Sequence, residues 1–277
     1  MTQIVPAVPE GRYVDVPHGL RVHYHEAGDG PAVVFVHGSG PGASGWSNFR
    51  HNYEWLAAQG YRCVVPDLPG YGYSTRTPDA AYSWESVVDA ITGLCDGLGL
   101  KDVTLVGNSM GGAICIQAAL NRPELITRLV LMAPGGLEER ETYMGMKGIR
   151  TMLGILYGGG AIDRDAMRRL FRLQLFNESL ITDEIIEERF QVFETQPPNI
   201  LGMIKVPNLA SRTPELGCPI LALWGVNDQF CPVSGGYRLV EQCSNTRLVV
   251  LSECGHWVMV EHADVFNRTL LDFLQNG

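Results

Sequence analysis

Short, unbroken apolar runs recur along the chain with amphipathic stretches between them. Ala32-Val33-Val34-Phe35-Val36 is one such run; Arg62 to Pro66, Val103 to Val106, Ile126 to Met132, Pro219 to Gly225 and Arg247 to Leu251 are others. Runs of this length without alternation are what parallel strands need when helices cover both faces of their sheet. Ahead of them, Arg12 to Asp15 and Leu20 to Ala27 alternate polar and apolar residues around Pro17-His18-Gly19, which predicts a leading antiparallel hairpin. His23 and His25 then share one strand face, and with no third ligand in view they are expected to face solvent rather than hold a metal. Helices are expected from Asn48 and Phe49 to Gln59, from an N-cap at Ser83 to about Leu98, around Gly236 to Gln242, and from Ala263 to Gln275.

From about Gly136 to Arg212 the strand-helix rhythm stops. Methionines and helix formers take over, among them Met144, Met146, Met152, Leu153, Ile155 and Leu156. A structureless loop of that length is improbable in a compact domain. The expected organisation is a mostly parallel, eight-stranded α/β core over 1–135 and 213–277, with a helical cap over 136–212 whose apolar side chains line a pocket.

The run Val103 to Val106 leads through Gly107-Asn108-Ser109-Met110-Gly111 into the apolar helix former Ile114 to Leu120. Gly-x-Ser-x-Gly on its own occurs by chance in many loops. Between a buried strand and a buried helix it is a nucleophile elbow, the turn that presents a serine hydroxyl at a strand end in an α/β-hydrolase fold. Glycine is needed at Gly107 and Gly111 because a Cβ there would strike neighbouring backbone. The glycine-dense stretch His37 to Trp46 follows a buried strand at the same end of the sheet. Its Ser39 N–H and the Met110 N–H are the expected oxyanion donors.

An acid and a base are then required, because a serine hydroxyl is a weak nucleophile until a neighbouring base takes its proton. Asp228 falls just beyond one late strand and His256 just beyond the next, and the order Ser109, Asp228, His256 is the one this fold uses. Asp67 competes for the acid role, but it precedes the serine and faces a Pro69-Gly70 turn that its carboxylate can brace, so it reads as structural.

Composition narrows the partner. The net charge is −9 over 277 residues, with no basic run for nucleic acid or an anionic membrane. Neither a signal peptide nor a membrane span is apparent, and the seven scattered cysteines lack a C-x-x-C spacing, so free thiols in a cytoplasmic protein are expected. A small-molecule substrate, with no metal and no cofactor, fits this picture.

Beyond the triad, His37-Gly38-Ser39-Gly40-Pro41-Gly42-Ala43 with Trp46-Ser47-Asn48, Gly107 to Gly112, Ser179-Leu180-Ile181-Thr182, Arg189, Gly255-His256-Trp257 and Glu261-His262-Ala263 resemble the meta-cleavage product hydrolases over nearly the whole length. Ser39 departs from the glycine found in several relatives, a change that leaves the backbone donor in place. The resemblance implies hydrolysis of a carbon–carbon bond in 2-hydroxy-6-oxo-dienoates formed by ring opening of catechols, in a homo-oligomer (dimer or tetramer). It implies that the dienoate ketonises first, that Ser109 then attacks the C6 carbonyl, and that Gly38, Gly40, Asn48, Asn108, Arg189 and Trp257 surround the substrate. The large apolar side chains of the cap favour an aryl group, such as phenyl, on C6.

Arg189 also stands out from the residues alone. Thr182 is a good N-cap, and Ile185, Ile186, Arg189, Val192 and Phe193 then fall on one helical face. An arginine in an apolar stripe needs an anion, unless it snorkels to solvent or pairs with a glutamate. A broad carboxylesterase with the same triad, and a non-catalytic ligand-binding protein on the same scaffold, are the competing functions.

Overall fold

The computed structural model describes residues 8–80, 82–158, 162–197 and 200–277. Eight strands form one sheet: β1 (Arg12–Val16), β2 (Leu20–Ala27), β3 (Ala32–Val36), β4 (Arg62–Pro66), β5 (Val103–Asn108), β6 (Ile126–Met132), β7 (Ile220–Gly225) and β8 (Thr246–Leu251). Their order is β1-β2-β4-β3-β5-β6-β7-β8. The β1–β2 and β2–β4 pairs are antiparallel and the remaining pairs are parallel. β3, β5 and β7 are buried along their whole length, the state their unbroken apolar sequence predicts.

Helices cover both faces of the sheet and divide the core in two. One half gathers Val34, Val36, Leu105, Ile114 and Trp224; the other gathers Val33, Phe35, Val106, Phe266 and Phe273. The helix Trp84–Gly97 begins at Ser83 with a reciprocal capping box to Ser86. Among the described residues no helix is long and apolar enough to cross a membrane. The seven cysteines are free, and six of them are buried.

Two expectations are corrected. The helix expected over residues 48–59 is broken into Gly45–Phe49 and Tyr53–Ala57. Asn52 and Asn267 hold the break open: Asn52 Nδ2 donates to the Met259 carbonyl and to Asn267 Oδ1, and Asn267 Nδ2 donates to the His51 carbonyl. His23 and His25 are buried, not solvent-facing, because Tyr13, Trp46 and Tyr73 pack over that face of β2.

Between β6 and β7 the chain leaves the sheet for a helical insert containing Arg140–Gly145, Lys147–Tyr157, Arg164–Gln174, Asp183–Phe193 and the short Ile200–Met203. The insert is fastened to the core at one end. Arg50 pairs with Glu188 at 2.5 Å, and a Cβ on Gly42, where φ is +67°, would fall 1.8 Å from the Arg189 carbonyl oxygen. Backbone therefore lies against backbone where the Asp183–Phe193 helix meets the loop after β3.

Candidate active site

β5 ends at Asn108 and the next helix starts at Met110, leaving Ser109 alone on the turn with φ 56° and ψ −120°. A non-glycine residue in that region is strained, and the turn persists because its neighbours over-determine it. A Cβ on Gly107 would stand 2.6 Å from the Gly111 carbonyl, and one on Gly111 would stand 2.2 Å from that of Val36. The Ser109 N–H donates to the Met132 carbonyl at 3.0 Å and its own carbonyl accepts from the Gly135 N–H at 3.0 Å. The side chain is thereby left half-buried, on the wall of a cavity of about 590 Å³ that also includes Ser39 and Met110. Neither the Ser39 nor the Met110 N–H has an acceptor among the described residues.

His37 sets the shape of the loop that carries Ser39. Its ring is fully buried; Nδ1 donates to the Gly38 carbonyl at 2.8 Å and Nε2 accepts the Leu68 N–H at 2.9 Å. That pattern requires a neutral ring, and burial brings its pKa down to about 4. The sequence reading noted His37 only as the start of the loop. The available signal was its place at the end of a wholly apolar strand, where a ring must be buried and both nitrogens need partners.

Folded His37 stays neutral while the unfolded residue takes up a proton below pH 6.5, so stability is complete above 6.5, falls as pH drops toward 4 and levels off below that. Burial lowers the pKa values of His25 and His51 too, which adds to the slope with the same sign. His37 alone is expected to cost about 2 kcal/mol of unfolding free energy between pH 7.5 and 5. Urea melts at the two pH values measure it, with a shallower slope expected in His37→Gln; equal stability at both would refute this account.

Beyond β7 and β8, Asp228 and His256 meet as a buried pair. Asp228 Oδ2 lies 2.7 Å from His256 Nδ1, while Oδ1 accepts the Phe230 and Cys231 N–H groups at 2.7 and 3.0 Å. Asn108 Nδ2, one residue before the serine, donates to the His256 carbonyl at 3.2 Å. The Ser109 hydroxyl and the imidazole are not hydrogen-bonded to each other, and such a bond commonly tightens only around substrate. Asp67 lies elsewhere: it binds His23 Nδ1 and the N–H groups of Gly45 and Tyr73.

Glu261 entered the sequence reading only as part of the family resemblance, without a role. Its carboxylate accepts the Gly255 N–H at 2.5 Å and the Phe176 and Asn177 N–H groups at 2.6 and 2.9 Å. The His256 N–H donates to the Gln174 carbonyl at 2.7 Å. The loop bearing His256 is thus stitched to the insert, a contact between residues too distant in sequence for any local pattern to reveal.

Arg189 is 2% exposed. Nη1 donates to Ser47 Oγ at 2.6 Å and to Asn48 Oδ1 at 3.1 Å, and the guanidinium lies over the Trp257 and Phe171 rings at 5.2 and 5.4 Å. Its Nε has no hydrogen-bond partner among the described residues, and a Cβ on Gly40 would be 3.6 Å from Nη2. The adjacent Glu188 is engaged by Arg50, so no described carboxylate pairs with Arg189. Burial lowers its pKa to about 10, which leaves the cation intact at neutral pH. Arg189 therefore does not snorkel and forms no direct ion pair with a described glutamate, although the neighbouring Glu188 charge attracts it through space.

Known proteins share this arrangement of chain. The α/β hydrolase fold family matches residues 31–263. A 2-hydroxy-6-oxononadienedioate/2-hydroxy-6-oxononatrienedioate hydrolase from Comamonas testosteroni is 38% identical over 267 residues, 93% of this chain and 92% of that protein. A 2-hydroxy-6-oxo-6-phenylhexa-2,4-dienoate hydrolase from Burkholderia cepacia is also 38% identical, with the same coverage. The solved meta-cleavage product hydrolase from Pseudomonas fluorescens IP01 superposes with a TM-score of 0.84 at 30% identity, covering 96% of this chain and 97% of the other. The chain belongs to the α/β-hydrolase superfamily and, within it, to the meta-cleavage product hydrolases.

Proposed function

We propose that the chain hydrolyses the C5–C6 bond of 2-hydroxy-6-oxo-hexa-2,4-dienoates, releasing 2-hydroxypenta-2,4-dienoate and a carboxylic acid. The observation that carries this reading is Arg189, a buried cation with no described carboxylate partner, packed against the loop that bears Ser39. A simple ester gives such a cation nothing to bind, whereas the dienoate brings a carboxylate and an adjacent oxygen.

The mechanism follows from the residues. Direct cleavage of the dienol would expel an unstabilised carbanion, so the 2-hydroxydiene first becomes the keto tautomer, whose α-keto acid can accept the electron pair. Arg189 stabilises charge on that portion, with Asn48 and Ser47 fixing the guanidinium and Trp257 stacked beside it. Ser109 then adds to the C6 carbonyl as His256 takes its proton, with Asp228 holding the imidazole in the required tautomer. The Ser39 and Met110 N–H groups receive the oxyanion. Gly38 and Gly40 keep the loop close: a Cβ on Gly38 would lie 3.1 Å from that of Ser109. The C5–C6 bond breaks, its electron pair passes through the conjugated chain to the C2 oxygen, which takes up a proton to give the 2-hydroxydiene, and water hydrolyses the acyl-serine. Asn108 steadies the His256 backbone throughout. The same reading has residues 136–212 act as a cap and the chain work as a cytoplasmic homo-oligomer without metal or cofactor.

Arg189→Leu tests the reading. Removing a buried cation with no acidic partner should be neutral or slightly stabilising to unfolding. For the 6-phenyl dienoate, kcat/KM is expected to fall by roughly 2–5 kcal/mol, as when one side of a buried charge pair is truncated. Part of that loss should appear in kcat, because ketonisation develops charge beside the cation. p-Nitrophenyl acetate, which has no carboxylate, should be hydrolysed nearly as before. Equal losses on both substrates, or a large fall in Tm, would make Arg189 structural and favour an esterase.

A further inference from the structure

His256 rides on the loop between β8 and the helix Val258–Glu261, and that loop is tied from several directions. The Cys254 carbonyl accepts the Asn227 N–H at 2.9 Å, which fixes the loop to the end of β7. The His256 carbonyl accepts Asn108 Nδ2 from the elbow, and the His256 N–H donates to the Gln174 carbonyl of the insert. Between these ties sits the Gly255 N–H, held by Glu261 Oε2 at 2.5 Å. The other oxygen of the same carboxylate, Oε1, accepts the Phe176 and Asn177 N–H groups. A single side chain thus clasps the peptide before the base and the insert backbone together. The two segments are in contact there: a Cβ on Gly255 would lie 2.4 Å from the Gln174 carbonyl oxygen and 3.1 Å from the Phe176 nitrogen. Glu261 is not part of the cavity wall beside Ser109, so it acts on the reaction only through what it holds.

Resting on the reading above of His256 as the base that takes the Ser109 proton, we propose that Glu261 is a positioning residue for the reaction. Its carboxylate fixes Gly255, and with it the reach of the imidazole toward Ser109, while it registers the insert against the base. Asp228 steers the His256 ring through Nδ1, whereas Glu261 sets the backbone from which that ring projects. A carboxylate suits the task because both oxygens accept, and its bonds to N–H groups are roughly twice as strong as neutral ones. Glutamine cannot replace it. The one amide oxygen stays where two N–H groups converge, on Phe176 and Asn177, and the NH₂ then faces the Gly255 N–H, donor against donor. The tie to the insert survives, and the peptide next to His256 is pushed away.

The experiment takes Glu261→Gln and Glu261→Ala, each alone and combined with His256→Ala. For every variant kcat and KM are measured on the 6-phenyl dienoate and on p-nitrophenyl acetate, normalised to the folded fraction from denaturant melts. Glu261→Gln is expected to lower kcat on both substrates about ten- to a hundredfold, the cost of misplacing a catalytic group by about 1 Å. KM should change less, because the displaced group moves a proton and does not grip the substrate. Once the imidazole is gone there is nothing left to misplace, so adding Glu261→Gln to His256→Ala should alter the residual rate by less than about twofold, as for residues that act as a unit. The effect of Glu261→Ala should likewise vanish without His256, which keeps the measurement available if the glutamine variant does not fold. A purely structural glutamate would lower the melting midpoint while kcat per folded molecule stayed unchanged, or would give the same fold-loss with and without His256. Either result overturns the proposal and leaves the triad standing. A His256→Ala enzyme that turns over near the wild-type rate would instead remove the base itself, and the proposal would fall with the reading it rests on.

Discussion

Ser109→Ala is expected to lower turnover of the 6-phenyl dienoate by at least ~10³ while the protein stays folded and still binds the compound, because members of a triad act as a unit and losing the nucleophile removes the covalent route. The turn does not depend on the hydroxyl. It is held by the Ser109 N–H and carbonyl, through Met132 and Gly135, and by the close approach of Gly107 and Gly111 to neighbouring backbone. Alanine at φ 56° bears the same backbone strain as serine, so the elbow should survive. Retained binding follows from Arg189, whose contacts to Ser47 and Asn48 do not involve Ser109. Loss of the yellow dienoate absorbance gives the rate, and titration of the variant gives the affinity. A variant that turns over near the wild-type rate would remove Ser109 from the chemistry.

Most of the scaffold behind that prediction was legible in the sequence, because it depends on local pattern. Unbroken apolar runs placed β3, β5 and β7, the Ser83 cap placed a helix start, and glycines flanking a serine marked the turn where a Cβ would collide. Arg189 was legible for a related reason: a charge in an apolar helical stripe is an anomaly that period alone exposes. The parts that were not legible are set by contacts between distant segments. His23 and His25 alternate along β2 as solvent-facing residues would, and only the packing of Tyr13, Trp46 and Tyr73 buries them. Nothing near Asn52 announces that Asn267, more than two hundred residues away, will hold a helix break open. Glu261 looks like an ordinary surface acid until the Phe176 and Asn177 backbone is brought onto it.

Asp228→Asn is expected to cost about 10⁴ in kcat on any substrate that uses Ser109, with little loss of fold, and the reason lies in which oxygen does what. Oδ1 accepts two backbone N–H groups, from Phe230 and Cys231, and Oδ2 faces His256 Nδ1. An asparagine must keep its only oxygen on the two N–H donors, since turning the amide would set NH₂ against both of them. Its NH₂ is then presented to His256 Nδ1, which has to accept. That places the ring proton on Nε2, so the nitrogen that should take the serine proton is already occupied. Asp67→Asn is the matched control, because Asp67 is also buried, bonds a histidine and accepts backbone N–H groups. Its partners brace the Gly45 and Tyr73 turns instead of His256. Removing the charge should therefore destabilise the fold by about 1–3 kcal/mol, the penalty for a buried donor left unsatisfied. Its kcat per folded molecule should stay within a few-fold of wild type. The decisive measurement is kcat on the dienoate and on p-nitrophenyl acetate for both variants, normalised to the folded fraction from denaturant melts. A fully folded Asp67→Asn that loses more activity than Asp228→Asn would move the acid of the triad to β4 and overturn the assignment drawn from the order of residues.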